Sequence, residues 1–168
     1  MKKLIVAAIA LIAFGAQGND WSTGYKKDEM RGTTQKIMWL ESENSAYFDF
    51  PYEGGSKLGI VLLSKRVTLK MGQKPEDLKP EFAYIYIDKG QFVCPANDPC
   101  RVNIKFGQDS IIPFTMTEPE DGSSNYLYFY YPEQFIKYFK SHKSVIIEPR
   151  FFEEGRKQFK FDLTNYPG

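Results

Sequence analysis

Hydrophobic and polar residues alternate along most of this chain, in short runs separated by glycine, proline, asparagine and aspartate. The clearest run is 100–106, where Cys100, Val102, Ile104 and Phe106 fall on one side and Arg101, Asn103 and Lys105 on the other. Successive side chains of a strand point to opposite faces, so this pattern predicts a strand half-buried against a core. Residues 157–163 repeat it with Phe159, Phe161 and Leu163 inward. The same reasoning predicts strands at 35–40, 46–50, 58–63, 66–70, 82–87, 91–94, 111–116, 126–131 and 145–148. Gly54-Gly55 and Gly122-Ser123-Ser124 supply turns, and Asp88-Lys89-Gly90 suits a three-residue hairpin loop with its glycine in the left-handed position. Pro75 and Pro80 bracket a loop rich in lysine and glutamate.

One segment departs from the period of two. Residues 132–142 begin with Pro132, suited to a first helical turn, and place Glu133 at the positive end of the helix dipole with Lys140, His142 and Lys143 at the other. Phe135, Ile136 and Phe139 form one apolar stripe. Many short antiparallel strands with a single helix predict a mainly β fold: an antiparallel β-sandwich, or a partly open barrel, with one short helix packed on a sheet.

The N-terminus carries a different signal. Met1-Lys2-Lys3 is a positive n-region, residues 4–14 are continuously apolar, and Ala16-Gln17-Gly18 has the small-x-small form of a signal-peptidase site. Residues 1–18 therefore read as a cleaved signal peptide, with cleavage before Asn19, and 19–168 as one β-sandwich domain. The apolar run is too short to span a ~30 Å hydrocarbon core, so no transmembrane anchor is expected. The Lys-Lys start followed by Ala, Ile and Leu has a bacterial character, and the expected address is periplasmic or secreted.

Export changes the meaning of the cysteines. Cys94 and Cys100 are an even pair in an oxidising compartment, which predicts one disulfide. Assigning 91–94 and 100–106 to consecutive strands places both sulfurs on the core side near a hairpin end. Their spacing spells neither a Cys-x-x-Cys redox pair nor a zinc site, and His142 is the only histidine, so no metal or other cofactor is expected. Without Lys2 and Lys3, 20 basic residues face 21 acidic ones, a net charge of −1. That balance predicts no nucleic-acid partner.

Candidate chemistry is sparse. His142 with Ser141, or with a distant serine and aspartate, supplies triad residue types, but a histidine at a helix end flanked by lysines is ordinarily a solvated group, and no Gly-x-Ser-x-Gly elbow accompanies it. Glu118, Glu120 and Asp121, or Glu153 and Glu154, supply carboxylates, yet glycosidase chemistry needs two of them facing across a cleft. The polar segment 28–34 reads as a turn bending at Gly32, or as a recognition loop. The aromatics stand out more. Tyr126, Tyr128 and Tyr130 share one strand face opposite Leu127, Phe129 and Tyr131, and Tyr84 and Tyr86 share a face with Phe82 opposite Ala83, Ile85 and Ile87. Strands apolar on both sides place one face in the sandwich and the other beneath helix 132–142. A short helix cannot cover a sheet about 20 Å wide, so some of Tyr84, Tyr86, Tyr126, Tyr128 and Tyr130 are expected to stay exposed as a binding patch.

Trp21, the segment Asp28-Glu29-Met30-Arg31-Gly32-Thr33-Thr34, Phe50-Pro51-Tyr52-Glu53-Gly54-Gly55, Lys89-Gly90-Gln91-Phe92-Val93-Cys94 with Cys100, and Phe151-Phe152-Glu153-Glu154-Gly155 before Phe159-Lys160-Phe161 together resemble small exported proteins of unknown function from bacterial genomes and prophages. More distantly the chain resembles the periplasmic accessory proteins of type VI secretion and the invasion-associated locus B family. The resemblance implies a disulfide-stapled, mostly β periplasmic domain and carries over no catalytic residues. The expected function is a non-enzymatic periplasmic or secreted binding or accessory protein recognising a protein or cell-envelope partner. A secreted inhibitor or phage-exclusion factor and a small carboxylate-dependent hydrolase are the alternatives.

Overall fold

The computed structural model describes residues 20–168. The expected signal peptide, residues 1–18, and its expected cleavage point lie outside the described residues. In chain order the strands are β1 (Ser22–Asp28), β2 (Thr33–Glu41), β3 (Ala46–Phe48), β4 (Gly54–Ser56), β5 (Leu58–Ser64), β6 (Pro80–Ile87), β7 (Arg101–Phe106), β8 (Ile112–Thr117), β9 (Tyr126–Phe129), β10 (Ser144–Glu148), β11 (Arg150–Phe151), β12 (Gly155–Arg156) and β13 (Phe159–Asp162). Among the described residues, nine of them make one antiparallel sheet in the order β1-β2-β5-β6-β9-β8-β7-β10-β13, while β3-β4 and β11-β12 are small hairpins. The large sheet folds over on itself in a sandwich-like arrangement with no closed barrel.

Alternation puts one row of each strand inside. Met38, Leu40, Ile60, Leu62, Ile85 and Ile87 face Ile104, Phe106, Val145, Ile147, Phe159 and Phe161 across a single continuous apolar cluster. Burying these side chains is the main stabilising term, each contributing about 1.5–3 kcal/mol. α1 (Pro132–Ile136) continues as a 3-10 turn over Lys137–Lys140. The tighter winding, at three residues per turn, brings Tyr138 onto the same side as Phe135. Phe135 stacks on Phe129 at 3.9 Å and Tyr138 on Phe106 at 4.4 Å. The helix therefore plugs the interior. It does not cover the Tyr126, Tyr128 and Tyr130 face, as one reading of the sequence placed it, because its phenylalanines join the Leu127 and Phe129 side.

Other sequence expectations change. β1 was not foreseen, since Ser-Thr-Gly-Tyr-Lys-Lys-Asp has no apolar alternation; it is held as an edge strand by full pairing with β2. Segment 66–70 forms only an isolated bridge, Val67 with Thr34, and 91–94 only one, Phe92 with Phe151. Asp88-Lys89-Gly90 is not a hairpin loop. β6 pairs with β9 rather than with the segment that follows it, and residues 88–100 cross the ends of β9 and β8 to reach β7. Gly90, at φ 126°, lets the chain turn beneath Phe48, where a Cβ would meet that ring at 3.0 Å.

The disulfide closes this crossing. Cys94 and Cys100 are bonded with 4.8 Å between their Cα atoms, and both are half-buried against the edge of the core rather than fully inside it. The far edge of the sheet is also closed. Glu43 N–H donates to Lys160 O at 2.7 Å, Lys160 N–H to Asn44 Oδ1 at 2.7 Å, and Asn44 Nδ2 to Gln158 O at 3.0 Å. Asn44 thus stands in for a neighbouring strand along β13, satisfying an edge that would otherwise invite pairing with another chain.

Candidate contact face

Antiparallel register aligns the outward residues of the first half of the sheet into rows. Ser22, Trp39, Val61, Tyr84, Tyr128 and Thr117 run across β1, β2, β5, β6, β9 and β8. One row over lie Glu41, Gly59, Tyr86 and Tyr126, and on the other side Gly24, Ile37, Leu63 and Phe82. Among the described residues no element lies over these rows. Trp39 is 37% exposed, Tyr128 39%, Phe82 46% and Tyr130 57%, while Tyr84, Tyr86 and Tyr126 are intermediate. All five tyrosines named from the sequence therefore keep some contact with solvent. Val61 is only 5% exposed because Trp39 and Tyr84 flank it in its row.

Two glycines shape the aromatic surface. Tyr86 lies flat over Gly59, so that a methyl group there would overlap the phenol ring, and Trp39 reaches over Gly24, where a Cβ would meet the indole at 3.3 Å. Both rings lie along the sheet and turn a face outward. Tyr84 sits between its neighbours, 5.2 Å from Tyr128 and 5.8 Å from Tyr126, at interplanar angles of 48° and 63°. Burial, with Tyr128, Tyr126 and Tyr86 close by, pushes the Tyr84 hydroxyl up to about 12. Burial and then the charges of Glu41 and Asp88 raise Tyr86, whose hydroxyl donates to Glu41.

Trp39, Ile37, Leu63, Val61 and the two glycines were not singled out from the sequence as part of this face, whereas the alternation of 82–87 already places Phe82 on the side of Tyr84 and Tyr86. A signal was there: 58–63 is apolar at both parities, as are 82–87 and 126–131. Adjacent strands apolar on two faces mean that a second apolar surface exists somewhere.

The other candidates resolve differently. His142 Nε2 lies 2.8 Å from Asp109 Oδ2 and its Nδ1 2.9 Å from Ser141 Oγ and 3.0 Å from Tyr138 O. Serine, histidine and aspartate do meet, with an aspartate that the sequence reading did not specify. The backbone N–H groups of Ser141 and His142 both donate to Tyr138 O at the C-terminal end of the helix, where carbonyls rather than donors gather. Those two N–H groups are therefore not free to serve an oxyanion, and the cluster ties the helix end to the β7–β8 turn through His142 and Asp109. Asp121 accepts from Ser123 N–H and Oγ, and Glu154 from Asp49 N–H and Lys157, so these carboxylates hold their loops. Segment 28–34 is the β1–β2 turn, with Gly32 at φ 61° and Asp28 accepting from Arg31.

Among the described residues, no group of three or more His, Cys, Asp or Glu side chains is placed to hold a metal, and no helix is long and apolar enough to cross a membrane. No protein-family model, curated protein or solved structure matches the chain.

Proposed function

We propose that this protein is a non-enzymatic binding or accessory protein of the periplasm or cell exterior, which recognises a protein or cell-envelope component through the outer aromatic face of β2, β5, β6 and β9. The observation that carries the reading is the row Trp39, Val61, Tyr84 and Tyr128, continued by Phe82, Tyr86, Tyr126 and Tyr130 and left without cover among the described residues. Contiguous exposed apolar surface on a sheet is costly in water and marks interaction sites. Tyrosine and tryptophan suit such sites, because their rings exclude water while a polar tip meets the partner. The disulfide is compatible with an oxidising compartment.

Capture of envelope components by the purified protein and by Tyr128→Ser and Tyr84→Ser variants tests this. Each variant is expected to weaken capture by more than about 1 kcal/mol; the exposed Tyr128→Ser should leave stability nearly unchanged, whereas Tyr84→Ser removes a half-buried ring and should also lower stability by about 2 kcal/mol. Unchanged capture by both variants would remove the face from consideration.

A further inference from the structure

This inference rests on the reading of the aromatic face as the contact surface, and names its partner's chemistry. The outward positions of β2, β5, β6 and β9 hold one charged side chain, Glu41, beside Gln35, Ile37, Trp39, Gly59, Val61, Leu63, Phe82 and the tyrosines, with cations only at the far corner, where Lys26 of β1 pairs with the buried Gln35 and Arg66 Nε donates to its Oε1. Asp88 lies close enough to Tyr86 to act on its hydroxyl. At the β9 side, Thr117, Glu118, Pro119, Glu120, Asp121 and Tyr128 line one open depression. From Phe106 to Ile136 the chain contains no lysine or arginine at all, while Asp109, Glu118, Glu120, Asp121 and Glu133 fall within it. Among the described residues, no cation pairs with Glu118 or Glu120. The strand bearing Tyr126 and Tyr128 is thus bordered by acid with no base in its own hairpin.

We infer that the face receives a lysine- or arginine-bearing segment of a partner protein, its cations set over the Tyr84, Tyr126 and Tyr128 rings and against Glu118 and Glu120. Ring faces carry negative quadrupole density and attract ammonium and guanidinium groups within about 6 Å. Carboxylates at the border add complementary charge, which steers encounter and selects the partner.

The same geometry disfavours other occupants. Around Tyr84 the rings are inclined at 48° and 63° and share no common plane for a sugar, and the carboxylates at the border give a neutral glycan no charge to meet. Anionic lipid or nucleic acid meets like charge. A two-fold dimer through this face would pair residues of the same patch with one another, and the outward positions of β5, β6 and β9 supply no cation to meet Glu118 and Glu120.

The test titrates the purified protein with a short peptide of alternating lysine and threonine, and separately with its glutamate counterpart, following the tyrosine ring resonances by NMR. The lysine peptide is expected to shift Tyr84, Tyr126, Tyr128 and Tyr130, to bind about tenfold more weakly in high salt, and to lose about tenfold in affinity in a Glu118→Lys, Glu120→Lys double variant whose circular dichroism is unchanged. Equal binding of the glutamate peptide, or shifts confined to other surfaces, would overturn the inference. So would self-association through the face on raising protein concentration, or binding of a neutral glycan that ignores salt. If Tyr128→Ser abolishes envelope capture while salt and the charge-reversed variant leave it intact, the contact face stands and the cationic partner falls. If neither changes capture, both fall.

Discussion

Gly59→Ala is the sharpest probe of how the aromatic face is built. Gly59 lies opposite Tyr86 in the β5–β6 ladder, and the phenol ring occupies the space a Cβ would take. Its backbone is not among the positive-φ glycines, so alanine is conformationally allowed, and loss of glycine's unfolded-state freedom contributes roughly 0.5–1 kcal/mol of stability. Against this, Tyr86 must swing off the sheet. Its half-buried ring would return about 80–100 Å² of apolar area to water, costing ~2–2.5 kcal/mol at ~25 cal/mol per Å². The hydroxyl also leaves Glu41, a small term at a solvated site. The net expectation is a loss of about 1–2 kcal/mol, read as a lower urea midpoint at unchanged slope. In a Tyr86→Ser background the obstacle is gone, so Gly59→Ala should be neutral or stabilising. Equal cost in both backgrounds would refute the reasoning, because the glycine would then be required by something other than the ring lying over it.

Phe135→Ala removes the fully buried ring that stacks on Phe129 and touches Phe106, Phe114 and Phe139, and is expected to cost about 3–5 kcal/mol in the same assay. Replacing Cys94 and Cys100 together with alanine should lower stability by about 2 kcal/mol, the loop-closure value for so short a ring, with the fold recognisable by circular dichroism. Asn44→Ala should cost about 1 kcal/mol and speed amide exchange at Lys160, whose N–H loses its acceptor. Tyr84 and Tyr166 hold their protons to about 12 when folded, above the ordinary value of 10.0, so their stabilising contribution is complete below pH 10 and is lost as pH rises towards 12. Phenolate absorbance should show late-ionising tyrosines alongside falling urea midpoints in that window; ionisation of every tyrosine together near pH 10 would contradict it.

Some of this was legible in the residues. The alternation at 100–106 and 157–163 predicted β7 and β13 with the correct inward residues, because strand parity is a local property of the backbone. Pro132 and the Phe135 and Phe139 spacing located the helix, and the pairing of Cys94 with Cys100 followed from their even count in a chain read as exported. The five tyrosines could be named as candidates, and segment 28–34 could be read as a turn.

Which side of β6 and β9 faces inward was not available locally. Residues 82–87 and 126–131 are apolar at both parities, so either face could have met the core. The choice was made by partners distant in sequence: Leu58–Ser64 beside β6, and Phe135 stacking on Phe129 rather than on the tyrosines. The crossing of 88–100, the closure of β13 by Asn44 and the meeting of Asp109 with His142 are likewise decided between distant segments. Sequence determined the strands and their two-sided character, because periodicity is written residue by residue. Only tertiary structure decided that Trp39, Phe82 and the tyrosines form one outer surface, because register and burial are set by segments that local patterning does not connect.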